Sequence, residues 1–335
     1  MSQLSETVRT RFAGRRVVIL GDAVADQFLH GTISRVSREA PVFILDHDTT
    51  DTRPGGAANA AVNVASLGGT PVLVGLIGND PAGVALKSEL ASSNVICDQL
   101  LESPDVQTTT KVRVLAGQHY APRQQVIRID YANRSAVTDE LRSKIADGFS
   151  AACQNADAII ISDYNYGVAD GLVFETALRS ASERGIPLLI DSRFRLSNFK
   201  NATAGTPNQE EVEQLLGPNP TAESCDALRQ SLGYQALLVT AGNKGMTLYE
   251  AGQPPRHFDA VGAKEPVDVT GAGDTVIGAF ALGLASGLSF VDAASVANHA
   301  GGIVVMKRGT ASVTQDELVS SLESEPENLS HATRS

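Results

Sequence analysis

The sequence has few cysteines and histidines, and their spacing does not suit a metal site or a disulfide framework. The three cysteines, Cys97, Cys153 and Cys225, lie far apart and include no Cys-x-x-Cys pair. The six histidines show none of the spacings that zinc sites use. Free thiols are typical of a reducing compartment, so we expect a cytoplasmic protein.

Basic residues and long apolar runs are also scarce. Lys and Arg number 27 against 38 Asp and Glu, which gives a net charge of −11. We expect no nucleic-acid partner, because binding phosphates along a duplex needs a basic surface. The first sixteen residues are polar and include Glu6, which argues against a secretory signal. The uncharged stretch Thr275 to Val291 is too short and too polar to cross a bilayer, so we expect no membrane association.

Two widespread phosphate-binding motifs are missing as well. The chain contains no Gly-Lys-Ser or Gly-Lys-Thr, which a P-loop requires. A dinucleotide fingerprint starting at Gly271 would need a glycine at position 276, where the chain has Val276. The sequence therefore indicates neither a Walker ATPase nor a Rossmann dehydrogenase.

What the sequence does contain is an alternation of apolar runs with longer amphipathic stretches. Nearly continuous apolar runs occupy residues 16–20, 71–77, 158–162, 187–191 and 236–240. Such runs are typical of strands buried on both faces of a parallel sheet that is covered by helices. We predict an α/β domain over residues 1–320 with a mostly parallel central sheet, followed by a polar tail at 321–335.

Two segments, at about 31–53 and 108–130, interrupt this alternation. Each has short alternating apolar stretches with no helix between them, which predicts a small antiparallel sheet inserted as a lid. An exposed apolar sheet edge favours pairing with another chain, so we also expect a homodimer through the lid. Ordinary surface hairpins are the alternative.

The most informative stretch is Asp268-Val269-Thr270-Gly271-Ala272-Gly273-Asp274, which leads into an apolar helix of small residues. Small residues at a helix start leave backbone N–H groups uncovered, and the helix dipole adds about half a positive charge there. Gly271, Ala272 and Gly273 are therefore candidates for an anion hole. A carboxylate beside bound phosphate is unfavourable unless it takes a proton from an attacking hydroxyl, which makes Asp274 a candidate general base. An aspartate that only caps its own helix is the alternative.

A second glycine cluster, Pro54-Gly55-Gly56-Ala57-Ala58-Asn59, opens an earlier helix. Its two glycines would let a polyhydroxylated ligand approach the backbone, and Asn59 offers both a donor and an acceptor. Asp22 and Asp26 follow the first strand, at the edge where open α/β sheets bind ligands. Asp22 is a candidate for binding a sugar diol, with a turn cap as the alternative.

The two clusters resemble the two signatures of the PfkB/ribokinase superfamily of sugar kinases. The first is Gly55 to Ala61, with Gly68 and Gly78 beyond it, and the second is Asp268 to Ala281. Within the superfamily, the segment from about Val17 to Thr314 is most similar to the kinase half of the bacterial bifunctional heptose 7-phosphate kinases/adenylyltransferases. The resemblance implies a ribokinase-like three-layer α/β/α fold and transfer of the γ-phosphoryl group of ATP to a sugar hydroxyl.

The resemblance also implies roles for individual residues. Asp274 is the general base, and the backbone of Gly271, Ala272 and Gly273 holds the phosphoryl group. The implied sugar-binding residues are Asp22, Asp26, Gly55, Gly56, Asn59, Arg113, Asp163 and Arg193. The implied nucleotide-binding residues are Asn208, Glu211, Thr240, Gly242, Lys244, Gly245 and Asn298. Asn208 and Glu211 match an Asn-x-x-Glu motif that organises Mg²⁺ and water, and Asp268 and Thr270 resemble positions that hold a monovalent cation, K⁺, in some relatives.

Two positions depart from the heptose kinases. Tyr166 stands where those enzymes carry a lysine before Gly167, and Arg193 follows Asp191-Ser192 where they have Pro-Lys. Lysine offers a sugar phosphate a compact charge, tyrosine offers none, and arginine binds with a different geometry. We expect heptose 7-phosphate as the substrate, with its phosphate held by Arg193 and by Arg35 or Arg113. An unphosphorylated sugar, a sugar acid or a nucleoside is the alternative.

The chain contains no His-x-x-His motif of a nucleotidyltransferase. We therefore expect kinase activity alone, without adenylyltransferase activity. The alternative outside enzymes is a catalytically silent sensor of a sugar or nucleotide. The intact Gly271-Ala272-Gly273-Asp274 argues against this alternative, since a sensor has no use for a general base.

Overall fold

The computed structural model describes residues 3–118, 123–132, 137–262 and 265–324. The strands in these residues are β1 (Arg16–Gly21), β2 (Ala23–Val36), β3 (Phe43–Gly56), β4 (Thr70–Gly78), β5 (Ile96–Ser103), β6 (Thr110–Gly117), β7 (Gln124–Tyr131), β8 (Ala158–Asp163), β9 (Leu188–Ser192), β10 (Ala204–Gly205), β11 (Ala236–Thr240), β12 (Met246–Glu250) and β13 (Arg256–Phe258). The helices are α1 (Gln3–Arg11), α2 (Ala57–Ser66), α3 (Pro81–Ser92), α4 (Asp139–Ala152), α5 (Leu172–Arg184), α6 (Gln209–Leu216), α7 (Ala222–Leu232), α8 (Ala272–Ala285), α9 (Phe290–Val304) and α10 (Gln315–Ser324). No helix in this part of the chain has the length and apolarity needed to cross a membrane.

The central sheet of the described residues has nine strands in the order β13-β12-β11-β10-β9-β8-β1-β4-β5. Neighbouring strands from β11 to β5 run parallel, and β12 and β13 add an antiparallel edge. The apolar runs form these strands because side chains of β1, β4 and β8 are buried on both faces of the sheet. One face packs against α1, α2, α3, α8, α9 and α10, and the other packs against α4, α5, α6 and α7. The predicted three-layer α/β/α fold is confirmed.

A second sheet, with strand order β3-β2-β6-β7, projects from the central one. β2 pairs with β3 and β6 pairs with β7 in antiparallel fashion, whereas β2 and β6 are parallel. The sheet is therefore mixed rather than purely antiparallel as predicted, because β6 enters from β5 on the same side as β2 enters from β1. Its strands also extend beyond the predicted segments, since β2 begins at Ala23 and β3 ends at Gly56. Residues 119–122 of the predicted lid lie outside the described residues.

The last helix continues into the segment predicted as a polar tail. α10 ends at Ser324, four residues beyond the expected boundary. Its side chains Leu318, Val319 and Leu322 are buried against the core, and this apolar face at helical spacing keeps the segment helical. Residues 325–335 of the predicted tail lie outside the described residues.

The carboxyl end of β1 is a point of close backbone approach. A Cβ atom at Gly21 would lie 2.0 Å from the carbonyl oxygen of Ser162, its partner on β8. The same oxygen accepts the backbone N–H of Asp22 at 3.1 Å. Glycine at position 21 therefore lets β1 and β8 pair up to the edge where the candidate site residues begin.

We predict that Gly21→Ala lowers the free energy of unfolding by about 2 kcal/mol or more, because two core strands must separate to admit the methyl group. A suitable control is Gly148→Ala in α4, where the new Cβ would contact only the movable end of Gln99. That control is expected to be neutral or stabilising by up to about 1 kcal/mol, as alanine favours the helix. Chemical denaturation measures both, and similar unfolding midpoints for the two variants would contradict the prediction.

Candidate active site

The two glycine clusters of the sequence meet at the carboxyl edge of the central sheet, where α2 and α8 begin. Gly271 precedes α8 with a φ of 76°, and a Cβ there would lie 2.4 Å from Nδ2 of Asn59. Asn63 on α2 bonds to Asn59 and accepts the hydroxyl of Thr275 at 2.8 Å. This polar contact fixes the start of α8 against α2, so motifs roughly two hundred residues apart form one site.

Asp274 lies on the first turn of α8 and is 3% exposed. Its Oδ2 accepts a hydrogen bond from Asn59 Nδ2 at 2.7 Å, and its Oδ1 accepts one from the Tyr164 hydroxyl at 3.1 Å. Burial raises the pKa of Asp274 to about 7, while the hydrogen bonds from Asn59 and Tyr164 oppose the rise. A carboxylate whose pKa is near neutral can accept a proton and release it again under ordinary conditions.

The start of α8 is open to solvent at the glycines that were predicted to form an anion hole. Gly273 is exposed, and Gly271 and Ala272 are half-buried. The backbone N–H groups of Gly273 and Asp274 donate to no acceptor within the described residues. Free N–H groups at a helix N-terminus attract an anion. An anion bound at the start of α8 would lie directly beside the Asp274 carboxylate.

Asp191 belongs to the same site, although it was not among the predicted site residues. Its Oδ2 lies 4.0 Å from the position of a Cβ on Gly273, and it forms no hydrogen bond or ion pair within the described residues. Burial and the nearby charges of Asp274 and Glu211 raise the pKa of Asp191 well above its usual range. The sequence feature that could have identified Asp191 is its position at the carboxyl end of an apolar run, where α/β sheets bind ligands.

Two hydroxyl groups beside Asp191 also lack partners. Ser162 pairs with Asp191 across β8 and β9, and Thr206 donates its backbone N–H to Ile190. The Oγ of Ser162 and the Oγ1 of Thr206 are buried without a hydrogen-bond partner in the described residues. Carboxylate and hydroxyl oxygens suit a hard divalent cation, which usually completes its coordination with water and substrate phosphates. The described residues hold no cluster of three or more His, Cys, Asp or Glu for a metal ion, so phosphate oxygens would have to contribute.

Asn208 and Glu211 form the start of α6. The Oδ1 of Asn208 accepts the backbone N–H of Glu211, and the Oε2 of Glu211 accepts that of Asn208, both at 2.9 Å. This capping box accounts for one oxygen of each side chain. Burial raises the pKa of Glu211, and the bonds from Asn208 oppose the rise. The pair both caps the helix and lines a cavity, so capping does not keep these side chains from facing a ligand.

That cavity, which we call the acceptor cavity, has a volume of about 350 Å³ and lies between the second sheet and the carboxyl edge of the central sheet. Its lining residues are Lys111, Arg128, Tyr164, Tyr166, Arg193, Phe194, Asn208, Glu210, Glu211 and Gln214. Three of them are cations, of which only Arg193 was predicted as a site residue. Lys111 and Arg193 form no ion pair with a carboxylate in the described residues, whereas Arg128 pairs with Asp130. Lys111 was detectable as one of two charges, with Arg113, in the mostly apolar strand β6.

Lys111 contributes its charge from β6 and touches the residue that binds Asp274. Its Nζ lies 5.6 Å from the centroid of the Tyr164 ring. Burial lowers the pKa of Lys111, and the carboxylate of Asp26 partly offsets this. The acceptor cavity thus brings Lys111 and Arg193, together with the carboxylates of Glu210 and Glu211, close to the buried general-base candidate. The two cations suit an acceptor molecule that carries its own anionic group.

Several predicted sugar-binding residues have other contacts. Arg113 forms an ion pair with Asp26 at 2.5 Å. Gly55 and Gly56 are buried, and Cβ atoms there would lie 2.6 Å from Oδ2 of Asp26 and 2.5 Å from the carbonyl oxygen of Asp22. The glycines are thus needed for the close approach of β2, and their contact with a sugar stays a prediction.

Asp22 and Asp163 are also hydrogen-bonded within the protein, and their role in binding the sugar stays a prediction. Asp22 is 2% exposed and accepts the backbone N–H groups of Tyr164, Tyr166 and Val168 at 2.8, 3.1 and 3.3 Å. Asp163 is 1% exposed; its partners are Ser192, Arg195 and the backbone of Asn165. A buried carboxylate requires such donors, and here they fix the loop after β8.

A second, mostly apolar cavity of about 150 Å³ lies on the other side of the α8 N-terminus. Thr240, Gly242, Gly245 and Asn298 line it, as predicted for nucleotide-binding residues, together with Ala272 and Gly273. Lys244 is exposed on the neighbouring turn and does not line the cavity. Asn298 donates its Nδ2 to the carbonyl oxygen of Asp259 at 2.8 Å and so closes the far end.

Asp268 stabilises the loop that leads into α8. Its two oxygens accept the backbone N–H groups of Thr270 and Gly309, both at 2.9 Å. These bonds lower the pKa of Asp268 against the opposing effect of burial. The hydroxyl of the nearby Thr310 is buried without a partner in the described residues. An orphaned oxygen beside a charged carboxylate is compatible with the monovalent cation that was predicted at Asp268 and Thr270.

The buried charge of Asp274 predicts a pH-dependent stability. The pKa is about 7 in the folded protein against 3.8 for an ordinary Asp, so the folded state binds more protons between these values. The free energy of unfolding therefore falls by about 3 kcal/mol from this group between pH 5 and pH 8. Asp274→Asn lacks that loss, and its stability relative to the native protein is expected to increase over this range. Urea denaturation at both pH values measures the change. Asp139→Asn, on the surface of α4, is the control, and a difference that is independent of pH for Asp274→Asn would contradict the prediction.

Most of the chain matches a known protein family. Residues 16–317 match the family described as pfkB family carbohydrate kinase. The chain is 43% identical over 317 residues to the bifunctional protein HldE of Nitrosococcus oceani and 38% identical over 333 residues to that of Caulobacter vibrioides. These alignments cover 93% and 96% of this chain but only 64% and 67% of the two relatives.

Solved structures share the fold at low sequence identity. Ribokinase of Arabidopsis thaliana, complexed with ribose and ATP, has a TM-score of 0.71 and 22% identity, covering 93% of this chain and 99% of that one. Phosphofructokinase-2 of Escherichia coli, in complex with potassium, has a TM-score of 0.74 and 19% identity, covering 91% and 97%. The fold is thus ribokinase-like. The chain belongs to the pfkB family of carbohydrate kinases and is a phosphotransferase that acts on a hydroxyl group.

Proposed function

We propose that the protein transfers the γ-phosphoryl group of ATP to a hydroxyl of a sugar that already carries a phosphate, and that this sugar is heptose 7-phosphate, converted into heptose 1,7-bisphosphate. The observation that supports the phosphorylated acceptor is the acceptor cavity, where Lys111, Arg128 and Arg193 surround a space next to Asp274. The heptose is supported by the similarity to heptose 7-phosphate kinases noted in the sequence.

In this proposal Asp274 accepts the proton of the acceptor hydroxyl while the hydroxyl oxygen attacks the γ-phosphorus. The bond between that phosphorus and the β–γ bridging oxygen breaks, and ADP leaves with the electron pair. The N–H groups at the start of α8 stabilise the charge on the transferred group. A pKa near 7 lets Asp274 begin the reaction as a carboxylate and end it protonated.

The apolar cavity beside Gly242, Gly245 and Asn298 would hold the base of ATP, which places the phosphates at Gly273. Glu211 and Asn208, joined by Asp191, would hold Mg²⁺, and Asp268 and Thr270 would hold K⁺. When bound, Mg²⁺ neutralises charge on the phosphates. The chain's own contribution is the pair of carboxylates, Asp191 and Glu211, whose pKa values are raised chiefly by burial, against the opposing charge of Arg193.

We predict ATP-dependent turnover with heptose 7-phosphate in a panel that also contains other sugar phosphates, free sugars, sugar acids and nucleosides. Asp274→Asn serves as the blank and should lose at least about two decades of turnover while still binding ATP. Turnover only with unphosphorylated alcohols would overturn the substrate proposal but keep the base. Turnover by Asp274→Asn equal to that of the native protein would show that Asp274 is not the general base. Inactivity of the native protein toward all acceptors would favour a sugar or nucleotide sensor.

A matched pair of lysine variants tests the anionic group of the acceptor in the same assay. Lys111→Met keeps the aliphatic chain and removes the charge, so KM for the phosphorylated acceptor should rise about tenfold or more while KM for ATP is unchanged. Lys144→Met removes an exposed lysine on α4 and should change neither value. An unchanged acceptor KM in Lys111→Met would refute the assignment of this cavity to the acceptor phosphate.

We also propose that two chains pair through the second sheet. Its strand β7 is exposed at all eight positions, including the apolar Val126, Ile127 and Ile129, and Phe43 on β3 is 59% exposed. Exposed apolar strands favour burial against a second copy.

Light scattering should therefore give twice the chain mass of 35.1 kDa. Ile127→Asp should shift this toward the mass of one chain, because a charge would be buried in the interface. Val84→Asp, at an exposed position on α3, is the control and should not change the mass. A native protein that has the mass of a single chain at micromolar concentration would contradict the proposal.

A further inference from the structure

Tyr164 contacts the general base of the proposed reaction directly, yet nothing in the two glycine motifs points to it. Its hydroxyl donates to Oδ1 of Asp274 at 3.1 Å, while Asn59 donates to Oδ2 at 2.7 Å. Each carboxylate oxygen therefore has one fixed donor. The carboxyl plane of Asp274 is set by two side chains from different elements, α2 and the loop after β8.

The loop that carries Tyr164 is itself tightly held. The carboxylate of Asp22 accepts the backbone N–H of Tyr164 and two further N–H groups of the same loop. Arg195 links Asp163, at the start of the loop, to Asp170 near its end. The loop turns through Asn165 and Gly167, which have φ values of 65° and 92°. Two buried carboxylates thus place the tyrosine hydroxyl without a contact from the substrate.

Charges face the Asp274–Tyr164 pair from several elements. The carboxylates of Asp26 on β2 and Asp191 on β9 disfavour further negative charge on the Asp274–Tyr164 pair. The guanidinium of Arg193 favours such charge. Burial and the charge of Asp274 raise the pKa of Tyr164 well above its usual range. The phenol therefore stays protonated and acts only as a donor to the carboxylate, which excludes Tyr164 as an alternative base.

We propose that Tyr164 is a positioning residue that fixes the Asp274 carboxylate and stabilises its charged form, so that the free lone pairs remain directed at the acceptor hydroxyl. This inference rests on the proposed role of Asp274 as general base. Because the phenol donates to the charged form of Asp274, removing its hydroxyl should raise the pKa of the carboxyl.

Tyr164→Phe removes only the hydroxyl and leaves the ring beneath Lys111 in place. One lost hydrogen bond to a carboxylate should move the acid limb of kcat/KM upward by about one pH unit. At pH 6 the variant should therefore be about tenfold slower than the native enzyme, and the two rates should converge above pH 9. Tyr166→Phe removes the same atom from a loop neighbour that does not touch Asp274, and its acid limb should stay at the native position whatever happens to its KM.

A second measurement does not depend on turnover. Carboxyl-carbon NMR of protein labelled at aspartate, with Asp274→Asn to identify the resonance, gives the pKa of Asp274 directly. We expect a value near 7 in the native protein, an upward shift in Tyr164→Phe and none in Tyr166→Phe. An equal fractional loss of activity at all pH values, with an unmoved limb and an unmoved resonance, would show that Tyr164 is only structural and would overturn the inference.

The two measurements separate this inference from the proposed function. If Asp274→Asn keeps its turnover, the general-base role fails, and the inference about positioning a base fails with it. If no acceptor supports turnover, the NMR titration still decides whether Tyr164 stabilises the charged carboxyl, and an absent shift in Tyr164→Phe refutes that.

Discussion

Burial of one carboxylate at the start of α8 constrains the architecture around it. In the proposed reaction Asp274 must be desolvated to serve as a base near neutral pH, and a desolvated carboxylate needs donors that stay in place. Those donors are Asn59 on α2 and Tyr164 on the loop after β8. The packing of α2 against α8, the absence of a side chain at Gly271 and the rigid loop after β8 all follow from this requirement.

The same arrangement weakens the fold in order to serve the chemistry. Asp274 and Asp191 both have raised pKa values, which means that their charged forms are less stable in the folded protein than in the unfolded chain. The central sheet and two apolar layers supply the stability that this requires. A protein that did not use these charges would gain by replacing them, so their presence at one edge of the sheet favours a catalytic explanation.

The fold and the open start of α8 could be predicted from the sequence because both depend on local patterns. Buried parallel strands give continuous apolar runs, and a small-residue helix start exposes its N–H groups whatever surrounds it. Roles that depend on contacts between distant segments could not be read in this way. Asp22 and Asp163 look like sugar ligands because they end strands, but their donors come from a loop and from Arg195, which no local pattern connects to them. Lys111 and Tyr164 come together only because β6 lies beside β2, in a parallel pairing that the sequence did not predict.

The number of donors around each carboxylate separates the acids at this edge of the sheet into two groups. Asp22 accepts three backbone N–H groups, and Asp163 accepts bonds from Ser192, Arg195 and Asn165. Their acceptor capacity is used within the protein, so they hold structure. Asp274 has two donors and Asp191 has none in the described residues, and both lie beside the open N-terminus of α8. Unused acceptor capacity next to an open helix N-terminus is what proton transfer and cation binding need. The hydrogen bonds, rather than the residue types, therefore distinguish the acids proposed for the reaction from those of the scaffold.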